Sequence, residues 1–440
     1  MNKYIFIIAL LCAAVILLSG CSPKLGGDVF ALPNLPKEYV SLQNELNVII
    51  SNGAEYAAAE NGVNRQAVQL VDLNADGTPE AIAVFTSGDG AIKAYVFGYG
   101  EDRYAQIGVL ESYGRRIWSV DYPVCSEKGD RAIALSVTFD DEVTYGMTVA
   151  SVRDGELRQM LDLQYSEVLF EDTDSDGCDE LFFAVRNGAS GAYLAQMYKL
   201  SGDEYKLRYT AAMCTEVRTV ANMQIGMTAD GKTALYIDSA ASNGGFVSDV
   251  LTLDGSAPVN LTVDAAGGSG MATWRASAVY CADIDGDGIT DVPVFEGGEL
   301  KSMLSWKDFT LDDTKEIAKT YYNLTDKWYM LWPEKWGDAV SAERKSGADT
   351  SSVTFFVPQT AGDGYNGEVR NAILTVYVFT GENSGENLKS YPGIKVLATS
   401  GSTVYGCFLI ENDYKRYSLN EEQLKEAFNV IEQSWNTEGY

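Results

Sequence analysis

Three short acidic segments carry the residues of this chain whose types and spacing could do chemistry. Each is nine residues long, with Asp or Asn at positions one, three and five, glycine at position six, and an acidic residue at position nine. They begin at Asp72, Asp172 and Asp283 and are called loop one, loop two and loop three. Alternate residues of a tight turn point inward, and glycine permits the positive φ that the reversal requires. Several oxygen atoms therefore converge in each loop, as a hard cation with about six to eight oxygen ligands requires.

The spacing assigns candidate ligands to each loop, with side chains at positions one, three, five and nine and a main-chain carbonyl at position seven. The sets are Asp72, Asn74, Asp76, the carbonyl of Thr78 and Glu80; Asp172, Asp174, Asp176, the carbonyl of Cys178 and Glu180; and Asp283, Asp285, Asp287, the carbonyl of Ile289 and Asp291. We expect up to three structural Ca²⁺ ions. The alternative is a metal-free Asx turn, since Asp, Asn and Gly favour turns by themselves. Crowded carboxylates repel one another, which favours the metal.

The loops begin as an EF-hand begins, but they do not continue as one. An EF-hand needs a bidentate Glu at position twelve and a helix on each side. Position twelve is Ala83, Phe183 and Val294, each within an apolar run of β character. The sequence therefore excludes an EF-hand.

The loops recur at a regular distance within a β-rich region. Their starts at residues 72, 172 and 283 lie 100 and 111 residues apart. Two weaker copies, over 128–135 and 229–236, stand between them and keep the turn and the β run without the acidic ladder. The resulting period of about 50 residues suits a four-stranded propeller blade. We predict a mainly β chain with a β-propeller-like repeat domain of about five blade units over 63–318.

The loops resemble the DxDxDG loop of FG-GAP/VCBS-type propeller blades, which occurs in integrin α-subunit propellers and in bacterial surface proteins. The resemblance covers roughly residues 63–310 and implies that each loop binds Ca²⁺ and joins the first two strands of a blade. The chain departs from that family in lacking its Phe-Gly and Gly-Ala-Pro signature, and two of its five units lack the acidic ladder.

The regions that flank the repeats have other patterns. An N-terminal helical segment is predicted over 38–62, with an apolar stripe at helical spacing over 38–51. Over 319–440 we predict a small α+β domain, an antiparallel sheet with one C-terminal helix capped by Ser418. Residues 332–336 and the pattern after them resemble the PsbP-like α/β fold of photosystem proteins.

The N-terminus has the features of a secretory signal. A lysine precedes an apolar run over 5–18, which is too short to span a bilayer comfortably. The tetrapeptide Leu-Ser-Gly-Cys that ends at Cys21 resembles the lipobox of bacterial lipoproteins, which implies cleavage before Cys21 and a lipid on its thiol. We expect a signal peptide over 1–20, a linker over 21–37, and an extracytoplasmic protein anchored to the bacterial cell membrane by that lipid.

Composition narrows the function classes. The 440 residues carry a formal net charge of −29 and include no histidine. The charge argues against nucleic acid and anionic lipid as partners, and the missing histidine excludes Ser-His-Asp and Cys-His catalysis. Five cysteines besides Cys21 would remain in the mature chain, and their wide spacing fits no metal motif, so we expect one disulfide or none: Cys125, Cys178, Cys214, Cys281 and Cys407.

These features favour a non-catalytic cell-surface lipoprotein whose calcium-stabilised propeller is a binding or scaffold module for a glycan or an envelope protein. The alternative is a two-carboxylate glycosidase built on a propeller, because that chemistry needs no histidine. A third hypothesis makes the C-terminal domain the active part.

Overall fold

The computed structural model describes residues 37–88, 90–139, 144–253, 257–264, 268–295, 297, 302–358, 370–411 and 414–431. The predicted signal peptide and Cys21 lie outside these ranges, as does the predicted linker except for Lys37. Within them the chain is mainly β, with three α-helices and 26 strands arranged in six antiparallel sheets. None of the described helices has the length and apolar character needed to cross a membrane.

The first four sheets are built from strands that follow one another along the chain. Sheet one holds β1 (Glu55–Tyr56), β2 (Val68–Val71), β3 (Glu80–Thr86), β4 (Ile92–Gly100) and β5 (Arg103–Ser112). Sheet two holds β6 (Arg116–Asp121), β7 (Ala132–Thr138), β8 (Tyr145–Arg153) and β9 (Glu156–Tyr165). Sheet three holds β10 (Glu167–Glu171), β11 (Glu180–Arg186), β12 (Tyr193–Ser201) and β13 (Glu204–Ala212). Sheet four holds β14 (Val217–Met227), β15 (Thr233–Ala241) and β16 (Phe246–Thr252).

The last two sheets use strands from the C-terminal part of the chain. Sheet five has the order β17 (Val292–Val294), β18 (Met303–Phe309), β19 (Thr314–Asn323), β20 (Trp328–Leu331) and β26 (Phe428–Val430). Sheet six has the order β21 (Ser341–Ser346), β22 (Thr350–Pro358), β23 (Arg370–Phe379), β25 (Thr403–Leu409) and β24 (Lys395–Ser400). The helices are α1 (Lys37–Ser51), α2 (Ser384–Lys389) and α3 (Glu421–Ala427).

Neighbouring sheets bury their faces against each other, as propeller blades do. On β11, Phe182 and Ala184 belong to a buried cluster shared with sheet four, whereas Leu181 and Phe183 belong to one shared with sheet two. Because successive side chains of a strand point to opposite faces, β11 is buried on both sides and reads as an unbroken apolar run. The predicted fold class, mainly β and propeller-like with a small α+β part after it, is confirmed.

The repeat that the sequence indicates matches one structural position, the connection between the first two strands of a blade. Loop one joins β2 to β3, loop two joins β10 to β11, and loop three leads into β17 after a β-bridge between Ala282 and Asp291. The two weaker copies fall at the connections from β6 to β7 and from β14 to β15. All five repeat units thus have the same connection at the same place.

The flanking regions differ in detail from the sequence expectations. Helix α1 is present, but the predicted helical segment over 38–62 continues as strand β1, which pairs with β3 after the chain turns at Gly53 with φ of 90°. The expected boundary between 318 and 319 falls inside β19.

The closing helix also differs from its prediction. Its cap is Asn420 rather than Ser418, because the Asn420 side chain accepts the Gln423 N–H at 2.8 Å and Gln423 Oε1 accepts the Asn420 N–H at 3.2 Å. The helix ends at Ala427, because Phe428 is extended and begins β26, with its ring stacked on Trp328. Burial of that aromatic side chain outweighs continuation of the helical pattern.

Candidate metal centre

Main-chain hydrogen bonds connect the acidic loops with the weaker repeat connections beside them. Arg131 N donates to Leu73 O of loop one at 2.9 Å, and Asp179 N of loop two donates to Val124 O at 2.8 Å. Thr290 N of loop three donates to Met227 O at 2.9 Å. The first-to-second-strand connections of neighbouring sheets therefore lie side by side on one edge of the array.

Each loop is first of all an Asx turn built by its own carboxylates. The position-one carboxylate accepts the N–H groups of positions five and six, as Asp72 does from Asp76 at 3.2 Å and Gly77 at 2.9 Å. The same bonds recur at Asp172 and at Asp283. The glycines at position six have φ values of 86°, 81° and 87°, a region that residues with a Cβ rarely adopt. The metal-free Asx turn and the metal-binding loop thus have the same backbone geometry.

The position-nine carboxylate lies at the buried base of each loop. Glu80, Glu180 and Asp291 are 4%, 0% and 1% exposed. One oxygen of each accepts the N–H of position two, from Leu73 at 2.8 Å, Thr173 at 2.9 Å and Ile284 at 2.9 Å. Burial raises the pKa of Glu80, because desolvation disfavours the charged form.

The second oxygen of this carboxylate faces the neighbouring strand, where the three loops differ. The position-ten residues Ala81, Leu181 and Val292 pair with Phe97, Tyr198 and Lys307. One further step of the same antiparallel register places Gly98, Lys199 and Asp308 opposite position nine. Gly98 has no side chain, and in loop one the second oxygen of Glu80 accepts Asn74 Nδ2 at 3.1 Å instead.

In loop two the opposite residue supplies a cation. The Lys199 ammonium contacts Asp174, lies 2.7 Å from Asp176 Oδ2 and lies 3.0 Å from Glu180 Oε1. Partial burial lowers the pKa of Lys199, but the hydrogen bonds to these three carboxylates outweigh it and raise the pKa above its usual value. Three of the candidate metal ligands of loop two therefore already share one positive charge.

In loop three the opposite residue is another acid. Asp308 is 6% exposed and its carboxyl group is hydrogen-bonded to that of Asp291. Its Oδ1 has no hydrogen-bond partner among the described residues. Burial, and then the adjoining Asp308 carboxyl, raise the pKa of Asp291, and burial likewise raises the pKa of Asp308. Two buried carboxyl groups thus meet beneath the carboxylates of Asp285 and Asp287, which contribute to the raised pKa of Asp308.

The structure brings together part of two of the three predicted ligand sets, and among the described residues the Asp72, Asp76 and Glu80 carboxylates of loop one form no such group. Carboxylate oxygens within 4.8 Å of one another, close enough to share a metal ion, come from Asp172, Asp174 and Glu180 in loop two and from Asp283, Asp285 and Asp291 in loop three. The metal-binding roles of the predicted residues, including the carbonyls of Thr78, Cys178 and Ile289, stay predictions.

Sequence reasoning missed Lys199 and Asp308, because both lie on the next strand rather than in a loop. They follow position nine by 19 and 17 residues. Counting the hairpin register from the loop across the β turn would have found them.

A groove opens beside loop two, between sheets three and four. Its volume is about 630 Å³, and its lining includes Lys199, Lys206, Leu207, Arg208 and Tyr209. Leu207 is 50% exposed, between two basic side chains on the outer strand β13. Asp174 also lines the groove and is paired with Lys199, so the positive charges that the groove presents are those of Lys206 and Arg208, in a chain whose net charge is −29.

Comparisons with known proteins found no matching family model and no matching curated protein. Among solved structures, Sqt1 of Saccharomyces cerevisiae is similar with a TM-score of 0.31 and 9% identity, over 81% of this chain and 100% of that chain. The Dos1 propeller is similar with a TM-score of 0.29 and 11% identity, over 80% and 81%. The β-propeller domain of the Trilobed protease from Pyrococcus furiosus has a TM-score of 0.25 and 8% identity, over 71% and 91%.

Proposed function

We propose that this protein is a non-catalytic, lipid-anchored bacterial surface protein whose calcium-stabilised propeller-like array binds a glycan or a protein partner. The observation that supports this function best is the recurrence of the same acidic turn at the same inter-strand connection on one edge of the array. Each turn precedes a strand that begins with buried residues, so a cation there would fix the start of that strand. The role assigned to Ca²⁺ is accordingly structural.

The binding surface that we favour is the basic groove beside loop two. Lys206 and Arg208 place two positive charges next to the exposed face of Leu207 and the ring of Tyr209. Arginine with an aromatic and an aliphatic neighbour is typical of a surface that binds partners. Its charge fits a partner with acidic groups, such as a glycan that carries carboxylates or an acidic protein segment.

A binding experiment tests this function. The full chain is applied to a glycan array and used to capture proteins from a bacterial envelope extract, and affinities are measured for the partners found. We expect the double variant Lys206→Ala/Arg208→Ala to bind at least about tenfold more weakly. The control Arg158→Ala/Lys345→Ala removes the same charge from exposed positions elsewhere. Equal loss in both variants would contradict the groove assignment, and release of sugar from a bound glycan would favour the glycosidase.

The lipid anchor is tested separately. Labelling of bacterial cells with a fatty-acid probe should mark the wild-type protein and leave Cys21→Ser unmarked, because the thiol is the proposed attachment point. The variant should also leave the membrane fraction. Unchanged labelling of Cys21→Ser would contradict the anchor without touching the calcium loops.

A further inference from the structure

We propose that the residue opposite position nine decides which cation each acidic loop holds. Loop three binds a divalent cation with Asp308 as an additional buried ligand, and loop two is held by the ammonium of Lys199 without a metal. This inference rests on the proposed function, because it assumes that Ca²⁺ stabilises the array. It changes the number of metal sites and adds a ligand that lies outside the nine-residue motif.

Loop three has two buried acids at its base that a cation could bridge. Asp291 and Asp308 are 1% and 6% exposed. Two buried carboxyl groups can lie side by side if they share a proton, as their hydrogen bond indicates, or if a cation takes the place of that proton. Asp308 Oδ1 has no hydrogen-bond partner among the described residues, and the carboxyl group that carries it is bonded to Asp291, which belongs to the carboxylate group formed with Asp283 and Asp285.

Loop two has that positive charge within the chain. Lys199 stands at the register position that Asp308 has in loop three, and its nitrogen contacts a side chain at each of positions three, five and nine. These are the positions that would face a metal ion. A metal bound there would have to displace an ammonium that is 28% exposed and holds three carboxylates. The ammonium of Lys199 therefore already occupies the place of a metal ion among these carboxylates.

Loop one is intermediate between the other two loops in the charge that lies opposite position nine. Its opposite residue, Gly98, contributes no charge, and the amide of Asn74 satisfies Glu80. Rotation of that amide toward a cation would release its bond to Glu80 and the bond that its oxygen accepts from Asp76 N at 3.1 Å, whereas the two bonds to Asp72 would remain. Loop one thus keeps the ligands of the motif and gains neither the ammonium of loop two nor the extra carboxylate of loop three.

Calcium binding by variants of the full chain tests the proposal. After treatment with EGTA and buffer exchange, the number of bound Ca²⁺ ions is measured by native mass spectrometry and the affinities by calorimetry. We expect Asp308→Asn to weaken the tightest site at least about tenfold, whereas Asp312→Asn, an exposed charge-matched control near the same hairpin, changes it less than about twofold. Asp308→Asn should also raise the melting temperature in EGTA, because it removes the repulsion.

Variants at Lys199 test the part of the proposal that concerns loop two. Lys199→Met should bind one Ca²⁺ more than the wild type, with a melting temperature that falls in EGTA and recovers in calcium. Lys199→Arg, which keeps the charge, and Lys206→Met, on the adjoining strand, should keep the wild-type number. An unchanged number in Lys199→Met, or equal affinities in Asp308→Asn and Asp312→Asn, overturns the proposal. A wild-type chain that binds no Ca²⁺ contradicts the proposed function as well, so the two failures are distinguishable.

Discussion

The carboxylate at position nine has the same backbone partner in all three acidic loops, yet its second oxygen meets a different group in each. The partner is the amide of Asn74, the ammonium of Lys199 or the carboxyl group of Asp308. The motif could be predicted from the sequence because its spacing is local. Asn74 belongs to the motif, but Lys199 and Asp308 lie on the next strand and can be found only once its register is known, which the loop sequence does not determine.

A further buried acid, Asp249, should give the protein a measurable pH dependence away from the loops. It is 0% exposed, its Oδ1 accepts Cys214 N at 2.8 Å and Asn260 Nδ2 at 2.6 Å, and its Oδ2 has no partner in the described part of the chain. Burial raises the pKa of Asp249 to about 6 from 3.8. The folded state therefore keeps a proton that the unfolded state releases, and the stability that this proton gives is lost as the pH rises from about 4 to 6.

Asp249→Asn should remove this dependence. Relative to the wild type, the free energy of unfolding of the variant should increase by up to about 3 kcal/mol between pH 4 and pH 7. Urea unfolding in EGTA at several pH values measures it. The control is Asp154→Asn, whose side chain is 87% exposed. If the curves of Asp249→Asn and the wild type stay parallel with pH, Asp249 does not titrate as described.

At the scale of elements, the repeat units could be predicted from the sequence, but the pairing of β20 with β26 in sheet five could not. The strands and turns of the repeat are local patterns, and even the two weaker copies fall at the expected connection. Sheet five is different, because β20 pairs with β26 about 100 residues later. No local pattern shows that pairing. The aromatic contacts of Phe428 with Trp328 and Tyr405 decide it, and the same contacts end the predicted closing helix early.

The segment that follows sheet four depends on one buried arginine. Arg275 is 0% exposed; it contacts Val279 O and donates to Asp238 Oδ1 at 2.8 Å and Ser248 Oγ at 2.9 Å. Arg275→Met should lower the free energy of unfolding by about 3–5 kcal/mol, because it leaves Asp238 buried without a counter-charge. Denaturant unfolding should show a change below about 1 kcal/mol for Arg158→Met, which loses only an exposed ion pair. Similar losses in the two variants would contradict the role given to Arg275.

Two free cysteines lie next to each other where loop two meets the connection between β6 and β7. Cys125 and Cys178 are partners in an isolated antiparallel bridge, and bridge partners have Cα separations of about 4.5–5.5 Å, which a disulfide can span. Burial raises the pKa of both thiols to about 11, so their thiolate is scarce at neutral pH and catalysed oxidation is needed. Peptide mapping after copper-phenanthroline treatment should find Cys125 linked to Cys178 and Cys407 free. Five free thiols after oxidation would contradict the pairing.

At the scale of the whole molecule, neighbouring sheets stabilise one another. The buried clusters are shared between neighbouring sheets, so each blade-like unit depends on the units beside it. The acidic loops lie on one edge of this stack, where a bound cation would fix the connections between the first two strands of the sheets. The sequence predicts this organisation through its period, since a repeat that cannot bury both faces alone requires neighbours.

Thermal unfolding of the full chain in about 10 mM CaCl₂ and in EGTA measures whether the acidic loops stabilise the fold by binding calcium. With affinities of about 0.1–1 mM in loops one and three, calcium should raise the melting temperature by about 3–10 °C. Asp283→Asn combined with Asp308→Asn should lose much of that increase, whereas Asp312→Asn should keep it. Equal melting temperatures of the wild type in calcium and in EGTA would contradict a calcium-stabilised array.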